Sequence, residues 1–171
     1  MKTCFCTIGR KADSLESALD TAVHCGFQGV EIWGKEPHIS ERFDAERIAR
    51  VRGAISDRGL APLALGSYVG SLRNGLPVEI ANGREAISIA KALGAPIIRV
   101  WAGHQSPENM PTKLLGEVVK FFKWFAPAAA DEGLILAVER HEQTSTESIV
   151  GALQLFKEVA HPALRLNFQM R

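Results

Sequence analysis

The segment Gly133-Leu-Ile-Leu-Ala-Val-Glu-Arg-His-Glu142 ends an apolar run with a carboxylate and an imidazole two residues apart, Glu139 and His141. In a strand, residues i and i+2 leave from the same face, so both groups would reach one pocket and there ligate a metal or pass a proton. Trp33 and Trp101 each stand at the end of a strand-like run, on its polar face, where they would form pocket walls; such indoles make a platform for carbohydrate. Arg99 shares its face with Trp101, and His104 follows in Ala102-Gly-His-Gln-Ser106. Gln169 lies with Arg165 and Asn167 on the polar face of the last run. Glu31, on the face of Trp33, fits either a structural carboxylate paired with Arg99 or Arg165 or a pocket group. His24, His38 and His161 read as surface or capping residues. Arg73 and Asn74 fit either an anion-binding loop or a solvated one.

The elements that must position these groups alternate along the whole chain. Apolar runs predict strands over 4–8, 29–33, 61–67, 96–101, 134–139 and 164–168. Amphipathic stretches predict helices over 14–24, 44–58, 77–93, 111–132 and 146–159, four of them followed by the stop signals Gly26, Gly59, Gly94 and Gly133. Pro127 should kink or divide the fourth helix. On every strand with a polar face, the opposite face is aliphatic or aromatic and should pack beneath helices; on the last these residues are Leu164, Leu166 and Phe168. Such βα alternation specifies a parallel sheet, either doubly wound or closed into a barrel. Ile8-Gly-Arg-Lys-Ala-Asp-Ser14 lacks the glycine-rich turn of a dinucleotide-binding sheet, and polar or aromatic groups end several different strands, so the barrel is favoured. The fold expected is therefore α/β, a (β/α) TIM-barrel type with parallel strands. It holds roughly six βα units against the eight of a closed barrel, which makes it partial.

Composition narrows the function classes. At 171 residues, 46% hydrophobic and 23% charged, the chain can bury a core without disulfides. Cys4, Cys6 and Cys25 are an odd set without CxxC spacing, which suits a reducing cytoplasm and argues against a zinc knuckle. Lys and Arg number 20 against 19 acidic residues, a formal net charge of +1, which disfavours a nucleic-acid partner. No apolar run approaches the ~20 residues of a membrane span, and the start is too short in apolar residues for a signal peptide, so no membrane association is expected.

Taken in order, Gly26-Phe-Gln-Gly-Val-Glu-Ile-Trp33, Ala92-Leu-Gly-Ala-Pro-Ile-Ile-Arg-Val-Trp-Ala-Gly103 and Leu136-Ala-Val-Glu-Arg-His141 resemble the xylose isomerase-like TIM-barrel family of sugar phosphate isomerases and epimerases. The resemblance covers essentially the whole chain, residues 1–171, as a single C-terminally incomplete domain of that family. It implies a carbohydrate substrate and metal-assisted proton transfer next to a carbonyl. Members bind a divalent cation (Mn, Mg, Co or Zn) through a Glu on the fifth strand, an Asp on the sixth, a His soon after it and a Glu on the eighth. By this resemblance Glu139 takes the fifth-strand ligand position, and Asn167 or Gln169 stands where the aspartate is expected. Glu139 and His141 would then act at the reacting carbon, with Trp33, Arg99, Trp101, His104 and Gln169 around the sugar. The later two ligands would lie beyond Arg171, so the isolated chain is expected to be incomplete for catalysis. The abasic-site nucleases of the same fold use a trinuclear metal site, for which the five scattered histidines are too few. A reading of a different class is a non-catalytic partial-barrel scaffold that associates, with itself or another chain, through exposed strand edges.

Overall fold

Side-chain caps start three of the helices in the computed structural model, which describes residues 2–168. The Ser14 hydroxyl accepts from the Ser17 amide, the Asp44 carboxylate from Arg47 and the Ser148 hydroxyl from Gly151, each satisfying an amide that the first helical turn leaves without a partner. The helices are α1 (Leu15–His24), α2 (Ala45–Ser56), α3 (Leu76–Leu93), α4 (Thr112–Asp131) and α5 (Ile149–Val159). They alternate with strands β1 (Cys4–Cys6), β2 (Gly29–Trp33), β3 (Ala61–Gly66), β4 (Ile97–Val100), β5 (Ile135–Glu139) and β6 (Leu164–Asn167). The six strands form one parallel sheet whose spatial order repeats the chain order, β1-β2-β3-β4-β5-β6, the winding of a TIM-barrel-type fold.

By its contacts the chain divides into two interleaved units, Met1–Ser67 with Glu85–Ile98, and Tyr68–Arg84 with Arg99–Arg171. In the first, Cys4 pairs with Gly29 and Cys6 with Glu31, while Gly29 pairs with Ala61 and Trp33 with Gly66, after a register shift between Val30 and Glu31. Leu19, Val30, Ile32, Ile55 and Leu93 are among its fully buried side chains. The expected strand over 4–8 stops at Cys6 and turns into a 3-10 helix, Thr7–Arg10. Thr7 is the cause: buried, it accepts the Trp33 amide on its hydroxyl at 2.9 Å and bonds His38 Nδ1 at 2.8 Å, so the chain must bend to bring it inward. His38 is therefore not the surface or capping residue the sequence suggests. It is 1% exposed, and its Nε2 also lies 3.2 Å from the Asp13 carbonyl.

In the second unit α4 buries Phe121, Phe122 and Phe125, with ring centroids 5.0 and 5.3 Å apart. Pro127 does not divide α4, which runs as one helix through it. The magnitudes explain this: a helix-interior proline costs about 3 kcal/mol, whereas each buried phenylalanine contributes roughly 1.5–3 kcal/mol. Helix α5 begins at Ile149 rather than near 146 because two threonines are otherwise engaged. Thr144 donates its hydroxyl to the His141 carbonyl at 2.7 Å and Thr146 to the Glu139 carbonyl at 2.8 Å, tying the loop to the end of β5. In β6, Leu136 pairs with Leu164 and Glu139 with Asn167. Leu166 and Phe168 do not pack beneath helices as expected but are 40% and 60% exposed. Strand β6 stands last in the sheet order, and among the described residues no helix follows it. Helix α5 likewise exposes Ile149, Val150 and Leu153. No helix of the described residues is long and apolar enough to cross a membrane.

Candidate functional site

Arg99, central in β4, and Glu139, the last residue of β5, form a buried ion pair. Arg99 Nη1 donates to Glu139 Oε2 at 2.5 Å, and the residues are only 6% and 8% exposed. Each charge would be costly to bury alone, so each fixes the other. The Arg99 guanidinium carbon lies 5.9 Å from the centre of the Tyr68 ring. Tyr68 lies 5.4 Å from Trp101, and Trp101 stacks on His141 with centroids 4.4 Å apart at 28°. Guanidinium, phenol, indole and imidazole thus stand in a row, an aromatic wall with a charged pair at one end. The Trp101 indole nitrogen and the Ser145 hydroxyl are buried without a hydrogen-bond partner among the described residues, two polar atoms that a ligand or water would satisfy.

Two histidines of this unit, His141 and His104, are each held as one tautomer. His141 Nδ1 lies 2.7 Å from the Glu142 carbonyl and His104 Nδ1 lies 2.8 Å from the Ser71 carbonyl. A carbonyl only accepts, so in each neutral ring Nδ1 carries the proton and Nε2 the lone pair. His104 depends for this on the loop between β3 and α3. Gly70 there has φ +95°, and a Cβ on it would lie 1.9 Å from the Trp101 carbonyl oxygen, so glycine alone fits. The loop is anchored by Glu79 from the first turn of α3. Its carboxylate, 2% exposed, accepts the Gly70 amide at 2.6 Å and also the amides of Ser71 and Leu72. Burial pushes the Glu79 carboxyl above the usual range, against the three amides that favour its charge.

The second unit therefore brings together Arg99 with Glu139 and Trp101 with His141, and bonds His104, from the loop after β4, to the loop that carries Tyr68. Trp33 belongs to the first unit, its ring 5.6 Å from His38 and nearly perpendicular to it. Glu31, also of the first unit, is half-buried and accepts from the Cys6 thiol at 3.5 Å. Arg73 and Asn74 are exposed. Gln169 lies outside the described residues. Tyr68 and Glu79 are the participants that the sequence reading missed. Tyr68 had a usable signal, since it follows its strand as Trp101 follows β4; Glu79 had none, resembling any acidic residue of a first helical turn.

The described residues do not by themselves fit a divalent cation. Glu139 has an oxygen occupied by Arg99, and no group of three or more His, Cys, Asp or Glu among the described residues could hold a metal ion.

A family model described as xylose isomerase-like TIM barrel matches residues 19–170. A 3-dehydroshikimate dehydratase of Bacillus anthracis is 24% identical over 170 residues, covering 98% of this chain and 61% of its own length. Among solved structures, the probable 3-DHS dehydratase of Bacillus anthracis involved in petrobactin synthesis superposes with a TM-score of 0.80 at 24% identity, over 98% of this chain and 62% of that one. A xylose isomerase-like TIM barrel protein of Mycobacterium smegmatis in complex with magnesium gives 0.78 at 19%, over 97% and 63%. The D-allulose 3-epimerase of a Methylomonas species in complex with D-allulose gives 0.76 at 18%, over 97% and 61%. At these identities the structures establish the fold, and the chain spans about three fifths of the length of the proteins it matches.

Proposed function

Because this chain belongs to the xylose isomerase-like TIM-barrel family, we propose that it binds a small sugar-like carbonyl compound and serves proton transfer at the carbon beside the carbonyl. Epimerising a ketose at its third carbon and dehydrating a hydroxyketone both begin by removing that proton, so relatives of either kind support the same step. The observation that carries the reading is His141. Its Nδ1 is committed to a carbonyl, its Nε2 lone pair can take a proton, and its ring is clamped on Trp101. The Tyr68 and Trp101 rings offer a wall for the C–H face of a sugar. The Arg99 and Glu139 pair fixes the charge pattern beside it, and His104 Nε2 offers a second proton-transfer group. A divalent cation would polarise the carbonyl in a complete ligand set. Gln169 stays a further sugar contact and the second metal donor in this reading.

The test follows a carbon-bound proton. The chain is incubated in D2O with D-allulose or 3-dehydroshikimate, and the signal of the hydrogen beside the carbonyl is followed by NMR, with binding read from tryptophan fluorescence. Exchange is expected in the native chain and should fall about 100-fold in His141→Ala, the lower range of a general base's contribution. Binding of either probe with no exchange, or exchange unchanged in the variant, overturns the reading.

A second reading, self-association, is favoured by the apolar residues left exposed on α5 and β6. Leu153→Lys should shift the chain from a larger species to the monomer in analytical ultracentrifugation. A wild-type monomer at all concentrations removes this reading.

A further inference from the structure

Three consecutive peptide groups, Val69–Gly70, Gly70–Ser71 and Ser71–Leu72, are used on both sides. Their N–H groups, those of Gly70, Ser71 and Leu72, all point at the buried Glu79 carboxylate. Their carbonyls accept in turn from the Trp101 amide at 2.8 Å, the Gly103 amide at 2.7 Å and His104 Nδ1 at 2.8 Å. Successive amides converging like this form a nest, a concavity suited to an anion, and here the anion is supplied by the protein itself. The arrangement is held against a local cost. Leu72 has φ +58°, a left-handed conformation costing a residue other than glycine about 1–2 kcal/mol. Polarising an amide at its N–H end strengthens its carbonyl as an acceptor, so the carboxylate acts through each peptide on the group beyond it.

We propose that Glu79 is a positioning residue which, through the Ser71–Leu72 peptide, holds the proton of His104 on Nδ1 and keeps Nε2 as its basic atom. The Glu79 carboxylate bonds the three amides and acts on His104 through the peptide between them. Its part is to fix a ring that in water carries its proton on either nitrogen. The inference rests on the proposed function only for why a basic Nε2 matters, and its readout needs no turnover.

The experiment is 15N NMR of the imidazole rings in the native chain and in Glu79→Gln, at a pH where both His104 and His141 are neutral. Native His104 should show a protonated Nδ1 and an unprotonated Nε2. In Glu79→Gln the amide presents a donor to the nest, so His104 should move toward a mixture of tautomers while His141, held by its own neighbour's carbonyl, stays as it was. Glu79→Asp keeps the charge one methylene back and should restore the native pattern in part. A native His104 protonated on Nε2, or a folded Glu79→Gln with an unchanged His104, overturns the proposal. So does loss of folding in both variants, since the carboxylate would then be holding the fold and not the ring.

Discussion

Replacing Glu139 by Gln should destabilise the chain far more than any surface change, because it removes a carboxylate bonded to the buried Arg99 guanidinium. The two groups meet at 2.5 Å with almost no solvent access to either side chain. Breaking such a pair from one side costs about 3–5 kcal/mol, which for a chain of this size lowers Tm by roughly 6–20 °C. Arg99→Met alone should cost a similar amount by taking this guanidinium away from the buried carboxylate. Arg99→Met with Glu139→Leu removes both charges and should recover most of the loss, so the double variant should cost far less than the sum of the two single variants. Urea unfolding followed by circular dichroism, with both variants and the double variant at one pH, measures it. The exposed pair between Arg58 and Asp20 is the internal control; Asp20→Ala there should cost under about 1 kcal/mol. If the Arg99 and Glu139 single variants each cost less than that and simply add, the pair is solvated, and the fixed charge assigned to it in the site does not exist.

Two further outcomes test the loop between β3 and α3. Burial raises the Glu79 carboxyl above its ordinary value, so the folded chain holds that proton more tightly than the unfolded one. Its contribution to stability is present below the unfolded glutamate value of about 4.3 and is lost as pH rises through the higher folded value. The stability of the native chain relative to Glu79→Gln should therefore fall across that window, and a difference flat in pH refutes it. Gly70→Ala must push its new carbon into the Trp101 carbonyl at a positive φ, whereas Gly26→Ala, also at positive φ, meets nothing. Gly26→Ala should cost about 1–2 kcal/mol from conformation alone, and Gly70→Ala clearly more in thermal unfolding; equal effects would show that the loop yields easily.

Much of the architecture could be read from periodicity and punctuation. Gly29 to Trp33 is the strand expected from its residues, and Ser14 and Asp44 cap the helices they precede. What escaped was set by partners distant in sequence. Thr7 looks like strand until Trp33 and His38, 26 and 31 residues on, claim its hydroxyl. His38 looks exposed until that hydroxyl and the Asp13 carbonyl are seen to bury it. Of the site, strand parity led to the expectation of Glu139 with His141 and Arg99 with Trp101, because a period of two is a local property. It could not say that Arg99 would face Glu139, nor that Trp101 would lie flat on His141, because those meetings depend on which strands become neighbours. Pattern also assumes that an apolar strand face is covered, and Leu166 and Phe168 show where that assumption fails.

The hydrogen bonds that the Gly70 to Leu72 segment makes to Glu79, Gly103 and His104 come from its main-chain atoms. Exchanging the Ser71 side chain for another would leave every one of those links standing, while a proline at the same place would delete one outright. Evolution could thus rewrite position 71 freely without disturbing the histidine beyond it, and a search for function that watches side chains alone would pass over the stretch of chain that keeps His104 in order.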